Sequence, residues 1–172
     1  MIRSFLFVPG DSERKLEKAP DAGADAIIVD LEDSVSAENR PRARELAREF
    51  IEGREDAWLR INPVDSGEAM ADLQAVMPAA PGGIVLPKAR SADDATRLAT
   101  KLDELESRFD VAAGHTRILP LCTERPRALF SLDSYVGATP RLAGLTWGAE
   151  DLSAALGARA RRDEDGNWLP PY

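Results

Sequence analysis

The 172 residues carry 30 acidic against 22 basic side chains, a formal charge of −8, with 44% hydrophobic and 30% charged residues. That balance describes a soluble globular chain with a real core, and argues against nucleic acid or an anionic membrane as the main partner, since both want a basic stripe. The single cysteine, Cys122, excludes an intrachain disulfide and a cysteine-rich zinc site, and fits a reducing cytoplasm.

FLFVPG (5–10) predicts a first buried strand closed by a Pro-Gly turn. Its apolar run is too short for a signal-peptide core and no later run reaches transmembrane length, so the chain reads as cytoplasmic. Asp11 or Ser12 is placed to cap a polar helix ending near Gly23. AIIVDLED (26–33) is the second strand, with acids packed at its end. ENRPRARELAREFIEG (38–53) spaces Leu46, Ala47, Phe50 and Ile51 as an amphipathic helix stopped by Gly53.

WLRINP (58–63) is the third strand, with Arg60 inside it, and the short helix EAMADLQAVM follows. GGIVLPK (82–88) is the fourth strand. SADDATRLATKLDELESRF (91–109) is a helix with Ser91 as N-cap and Asp94 in a short-armed capping box. ILPLCTE (118–124) is the fifth strand and LAGLTWGAED (142–151) the sixth, with a helix around PRALFSLDSYV between them. The tail ARARRDEDGNWLPPY reads as a surface excursion rather than a seventh strand.

Six strand–helix alternations at this period point to a parallel (β/α) barrel, a TIM-type (β/α)8 fold of which about six βα units are present; a doubly wound open sheet is the alternative. No GxGxxG or Walker loop follows any strand. A closed eight-stranded barrel normally needs about 200 residues or more. The expectation is one barrel domain over 1–172, short of a complete barrel: either the chain is part of a longer protein or the missing strands come from elsewhere.

The candidate chemistry lies at the predicted strand ends, where α/β folds collect ligands. Glu124 and Asp151 each terminate an apolar run, and two carboxylates that leave one face open suit Mg²⁺; caps or ion pairs are the alternative. Asp30, Glu32 and Asp33 crowd the end of strand two. Alternation sends Asp30 and Glu32 to one face and Asp33 to the other, where Asp33 is also a cap for the next turn. The three are candidates to hold metal-bound water or to orient Lys88 and Arg60. Arg60, between Leu59 and Ile61, requires an anion: a substrate carboxylate or enolate oxygen, or Glu32 within the fold. Lys88 is either a Schiff-base nucleophile or an ion-pairing residue, and the nearby acids favour the second by holding its pKa up. His115, Cys122, Trp58 and Trp147 read as a loop residue, a small buried residue and two core residues.

RSFLFVPGD, GADAIIVDLEDSV, LRINPVD, GGIVLPKA, the TE at 123–124 and PRLAGLTWGAEDL occur in the order and spacing of citrate lyase beta-subunit-like proteins of the HpcH/HpaI aldolase superfamily, which include malyl-CoA and citramalyl-CoA lyases. The resemblance runs from Arg3 to the DGNWLPPY region. It implies a TIM barrel with Mg²⁺ held by Glu124 and Asp151. Arg60 falls on the substrate-binding arginine, and Asp30, Glu32 and Asp33 fall on the acidic cluster. The family's glutamate stands more often in IES or IET than in CTERP. A catalytic aspartate supplied in the family by the C-terminal part of a neighbouring subunit has no match here.

The implied reaction is cleavage of a malyl-CoA or citramalyl-CoA type thioester to glyoxylate or pyruvate and an acyl-CoA, by a homo-oligomer (trimer or hexamer). Arg60, Glu32 and Asp30 are the candidate catalytic residues; Arg60 and Glu124 are the candidate substrate contacts. The alternatives are a citryl-thioester lyase subunit acting on an acyl carrier protein, a malyl-CoA thioesterase or malate-synthase-like enzyme, a Lys88 Schiff-base aldolase, and a truncated non-catalytic binding subunit.

Overall fold

The computed structural model describes residues 2–160, 162–167 and 169. Five parallel strands pair strictly in chain order: β1 (Phe5–Pro9), β2 (Ala26–Asp30), β3 (Ala57–Arg60), β4 (Gly83–Leu86) and β5 (Arg117–Pro120). The connecting helices are α1 (Glu13–Lys18), α2 (Arg40–Ile51), α3 (Ala69–Val76) and α4 (Ala92–Arg108), and α5 (Ala149–Ala155) lies near the end of the described chain.

The order decides between the two predicted architectures. A doubly wound sheet reverses strand order at a switch point and covers both faces with helices. Here no reversal occurs, and the helices share one face. Leu16, Leu46, Ile51, Leu73, Leu98 and Leu102 from the helices join Val8, Ile27, Val29, Leu59, Ile84 and Ile118 from the strands in one large core. The opposite face holds a separate cluster of Ala26, Ile28, Trp58, Val85, Leu119 and Leu121. This is the singly wound, barrel-type arrangement.

A single glycine shapes that inner face. Gly83 is the register neighbour of Trp58, and a Cβ there would stand 2.4 Å from the indole ring. The second glycine of GGIVLPK thus gives Trp58 its place, and Phe5 meets the same ring edge-on at 5.4 Å.

Several expectations are corrected. The predicted sixth strand is not one: residues 142–146 run beside β5 and the residue after it with two isolated parallel bridges, Ile118 with Leu142 and Leu121 with Thr146, and no continuous ladder. Two glycines in five residues, Gly144 and Gly148, weaken an extended ladder, and α5 begins at Ala149. Asp151 therefore sits in the first turn of a helix, not at a strand tip. β5 ends at Pro120, so Glu124 lies on the loop four residues beyond it. The helix predicted around PRALFSLDSYV is 3₁₀ from Pro126 to Tyr135. Trp58 is a core residue, but Trp147 is 74% exposed. Ser91 caps α4 by accepting from the Asp93 N–H, whereas Asp94 turns back one residue further than a capping box does, to the Arg90 N–H and guanidinium. In the tail, Asp163 to Asn167 form an exposed turn; Arg161, Trp168 and Pro170–Tyr172 lie outside the described residues.

Candidate active site

β2 and β3 end side by side, with Asp30 and Arg60 as register neighbours. Both continue the inward row begun by Ile28 and Trp58, so that face changes from apolar to charged at the C-terminal edge of the sheet. The guanidinium forks onto the carboxylate, Nε to Oδ1 and Nη2 to Oδ2, both at 2.6 Å. Its third nitrogen lies 3.1 Å from Glu32 Oε2, and the plane rests 5.1 Å from the Phe7 ring. Burial opposes ionisation of Asp30, but the Arg60 fork outweighs it and holds the carboxyl below its usual range. Arg60 is thus anchored within the fold, chiefly by Asp30 and only secondarily by the predicted partner Glu32.

The acidic turn after β2 departs from strand alternation. Asp30 folds the chain onto itself by accepting from the Glu32 and Ser34 N–H groups and the Ser34 hydroxyl. The strand has ended, so period-two parity no longer applies, and Asp33 reaches the same side as its neighbours. It lies 3.5 Å from Arg60 Nη1 and 3.3 Å from Lys88 Nζ. Asn62, two residues past β3, secures this turn, donating to the Leu31 carbonyl at 3.0 Å and to fully buried Asp72 at 2.9 Å.

Lys88 joins the two halves of the site. Its ammonium contacts Glu32 Oε1, Asp33 Oδ1 and, at 3.0 Å, Asp151 Oδ2, while its backbone N–H donates to Glu124 Oε2. Burial works against the Lys88 charge, but Glu32, Asp151 and Asp33 outweigh it and hold the ammonium well above its ordinary range. That disfavours a Schiff-base nucleophile, which needs a neutral amine. Burial pushes the Glu32 carboxyl up to about 7 against the pull of Lys88 and Arg60. Glu124, 5% exposed, is also pushed up by burial, and the Asp151 charge adds to that.

The structure therefore brings together all the predicted site residues: Asp30, Glu32, Asp33, Arg60, Lys88, Glu124 and Asp151. His115 lies before β5 at the opposite end of the sheet, its ring nitrogen 3.1 Å from the Ala80 carbonyl. Cys122 is buried against the Thr146 carbonyl, and burial raises its thiol pKa.

Sequence reasoning missed Gly148. A Cβ there would fall 2.5 Å from Glu124 Cγ, so the WGAED glycine is the space in which Glu124 lies. It also missed the fastening of residues 141–146: buried Arg141 donates to Glu106 and to the Thr116 carbonyl. The visible signal for both was a glycine or an arginine inside an apolar stretch.

The donor set fits a hard divalent cation. Among the described residues no group of three or more His, Cys, Asp or Glu side chains is arranged to hold a metal ion. What is present is two carboxylates, Glu124 and Asp151, joined through one lysine, which suits a cation that takes one or two protein carboxylates and otherwise water and substrate. Two enclosed oxygens, Asp151 Oδ2 and Glu32 Oε2, accept no hydrogen bond, and the raised Glu124 carboxyl is one that a cation would relieve.

Residues 3–167 match the family model described as HpcH/HpaI aldolase/citrate lyase. The chain belongs to this family. Among its HpcH/HpaI relatives, the chain is 35% identical over 167 residues to a (3S)-malyl-CoA thioesterase of Cereibacter sphaeroides, covering 94% of this chain and 54% of that one. It is 34% identical to a citrate lyase subunit beta-like protein of Mycobacterium tuberculosis, with coverages of 95% and 54%. The chain thus spans about half the length of these relatives. Its fold matches that of the M. tuberculosis CitE protein in complex with magnesium and acetoacetate, with a TM-score of 0.79 at 30% identity over 98% of this chain and 64% of that one. A citrate lyase beta subunit from the same organism, complexed with oxaloacetate and magnesium, gives 0.75 at 32% identity, with coverages of 96% and 66%. Among the described residues no helix is long and apolar enough to cross a membrane.

Proposed function

We propose that this chain carries the metal and acid-binding part of a magnesium-dependent carbon–carbon lyase. Its substrate in this reading is a 3-hydroxyacyl-CoA thioester of the malyl-CoA or citramalyl-CoA type, and the products are a 2-oxo acid (glyoxylate or pyruvate) and an acyl-CoA. The observation that carries the reading is the convergence of Glu124, Asp151, Arg60 and the Asp30–Asp33 turn at one end of the sheet. The magnesium in the CitE complexes, one of which also holds acetoacetate and coenzyme A, supports it.

Glu124 and Asp151 would hold the cation. Bound there, it would act as a Lewis acid toward the hydroxyl and carboxylate oxygens of the substrate. Arg60, fixed in orientation by Asp30, presents a cation toward the oxygen that gains charge as the bond breaks. In the reaction the hydroxyl loses its proton, the bond from the hydroxyl carbon to the thioester α-carbon breaks, and the electron pair leaves as a thioester enolate that is then protonated. Glu32, with a carboxyl that titrates at about 7, is the group of this chain best placed to hold or return a proton near neutral pH. A homo-oligomer, trimer or hexamer, and a cytoplasmic location belong to the same reading.

Hydrolysis of the thioester is the second reading, favoured by the malyl-CoA thioesterase relative. Incubation with Mg²⁺ and a panel of hydroxyacyl-CoA thioesters, followed by product identification, separates the two. A lyase releases glyoxylate or pyruvate with an acyl-CoA, and a thioesterase releases free coenzyme A and a hydroxy acid. Release of neither set refutes both.

A further inference from the structure

Lys88 differs from the other charged residues of the site in its backbone as well as its side chain. Its φ of +52° lies in the left-handed region, which side chains other than Asn, Asp and His rarely adopt. That conformation accompanies two contacts made by one residue. The N–H points at Glu124 Oε2, and the side chain crosses to Glu32, Asp33 and Asp151. Lys88 thus engages both carboxylates of the proposed metal site, one through its main chain and one through its ammonium.

The Asp151 contact differs from the others. Its Oδ2 is enclosed and accepts no hydrogen bond, although the ammonium lies 3.0 Å away. The Glu32 contact, by contrast, is a close hydrogen bond, and Glu32 is almost fully buried. Lys88 therefore holds the β2 turn by a hydrogen bond and Asp151 by an ion pair.

We infer that Lys88 is the internal counter-ion of the site: its ammonium holds Asp151 toward the β2 turn and yields that carboxylate to a divalent cation, while its N–H fixes Glu124. The inference rests on the reading that Glu124 and Asp151 bind a cation. Its consequence runs against the usual effect of mutating a site residue. Two positive charges compete for Asp151, so removing the ammonium strengthens metal binding.

The test is calorimetric titration of the protein with MgCl₂ alone at about pH 8, where Glu32 is ionised. Lys88→Gly keeps the N–H and relaxes the positive φ, Lys88→Met keeps the bulk, and Lys88→Arg keeps the charge. Lys88→Gly and Lys88→Met are expected to bind Mg²⁺ about tenfold tighter than the unmodified chain, with Lys88→Arg close to it. Without metal, Lys88→Gly and Lys88→Met melt lower, and Mg²⁺ raises their melting temperatures by more than it raises that of the unmodified chain. Equal or weaker Mg²⁺ binding by whichever of these two variants folds overturns the counter-ion role and leaves the metal site standing. No Mg²⁺ binding by the unmodified chain overturns both.

Discussion

Arg141→Met removes the cation that ties residues 141–146 to the rest of the fold. The guanidinium, on a residue 5% exposed, donates to both oxygens of Glu106 and to the Thr116 carbonyl, and it reaches Asp103. Glu106 is 1% exposed and also accepts from the Gly114 and Thr116 N–H groups. Methionine fills a similar length but leaves that carboxylate enclosed without its counter-charge, a loss that costs about 3–5 kcal/mol. The pH dependence gives an independent figure. Burial works against ionised Glu106, but Arg141 and the two N–H groups outweigh it and bring the carboxyl from its ordinary 4.5 down to about 2. A lowered carboxyl contributes stability that is complete above the unfolded value and is lost as pH falls toward the folded one. The difference corresponds to about 3 kcal/mol lost between pH 4.5 and pH 2. Urea unfolding from neutrality down to pH 2 measures both quantities. The variant is expected to be about 3–5 kcal/mol less stable near neutrality and to show a shallower acid limb. A cost below about 1 kcal/mol, or an unchanged acid limb, would refute the assignment of Arg141 as the fastening of this segment.

Gly148→Ala places a methyl against Glu124 Cγ; because the backbone at φ −115° accepts alanine, Mg²⁺ affinity should fall about 10- to 100-fold with little change in melting temperature. Arg60→Lys keeps the charge but loses the fork on Asp30, so turnover of the hydroxyacyl-CoA should fall at least about 100-fold while urea unfolding changes by no more than about 2 kcal/mol. Glu32→Gln tests the raised carboxyl in metal-free protein. A carboxyl raised to about 7 favours folding below its unfolded value of 4.5, and that contribution is lost as pH rises through 7, so the unmodified chain should lose about 3 kcal/mol relative to the variant over this interval. Parallel pH profiles would show that Glu32 is not displaced.

The barrel-type sheet was readable in the sequence because β4 is apolar throughout, β2 is apolar up to Asp30, and the helices carry 3.6-residue stripes. Those patterns report burial on both faces of a strand and on one face of a helix. The ends of elements were less readable. Alternation carried past Asp30 puts Asp33 on the wrong side, because the Asp30 side chain closes the turn there. The apolar letters of LAGLTWGAED suggest a strand running to Asp151 and do not reveal that Gly148 ends extension and α5 begins. The membership of the site was nevertheless legible. Charged residues at the ends of apolar runs have few places to go, and a shared sheet edge collects them. Which charge pairs with which depended on register, as with Asp30 and Arg60, and on the backbone of one lysine.

The most direct measurement of the cation site uses Mn²⁺ as a paramagnetic substitute for Mg²⁺, counting bound ions by loss of the free-ion resonance signal. One site per chain is expected, competed away by Mg²⁺, and abolished in both Glu124→Gln and Asp151→Asn with the fold retained by circular dichroism. Unchanged Mn²⁺ binding in either variant would remove that carboxylate from the site and with it the proposed lyase chemistry.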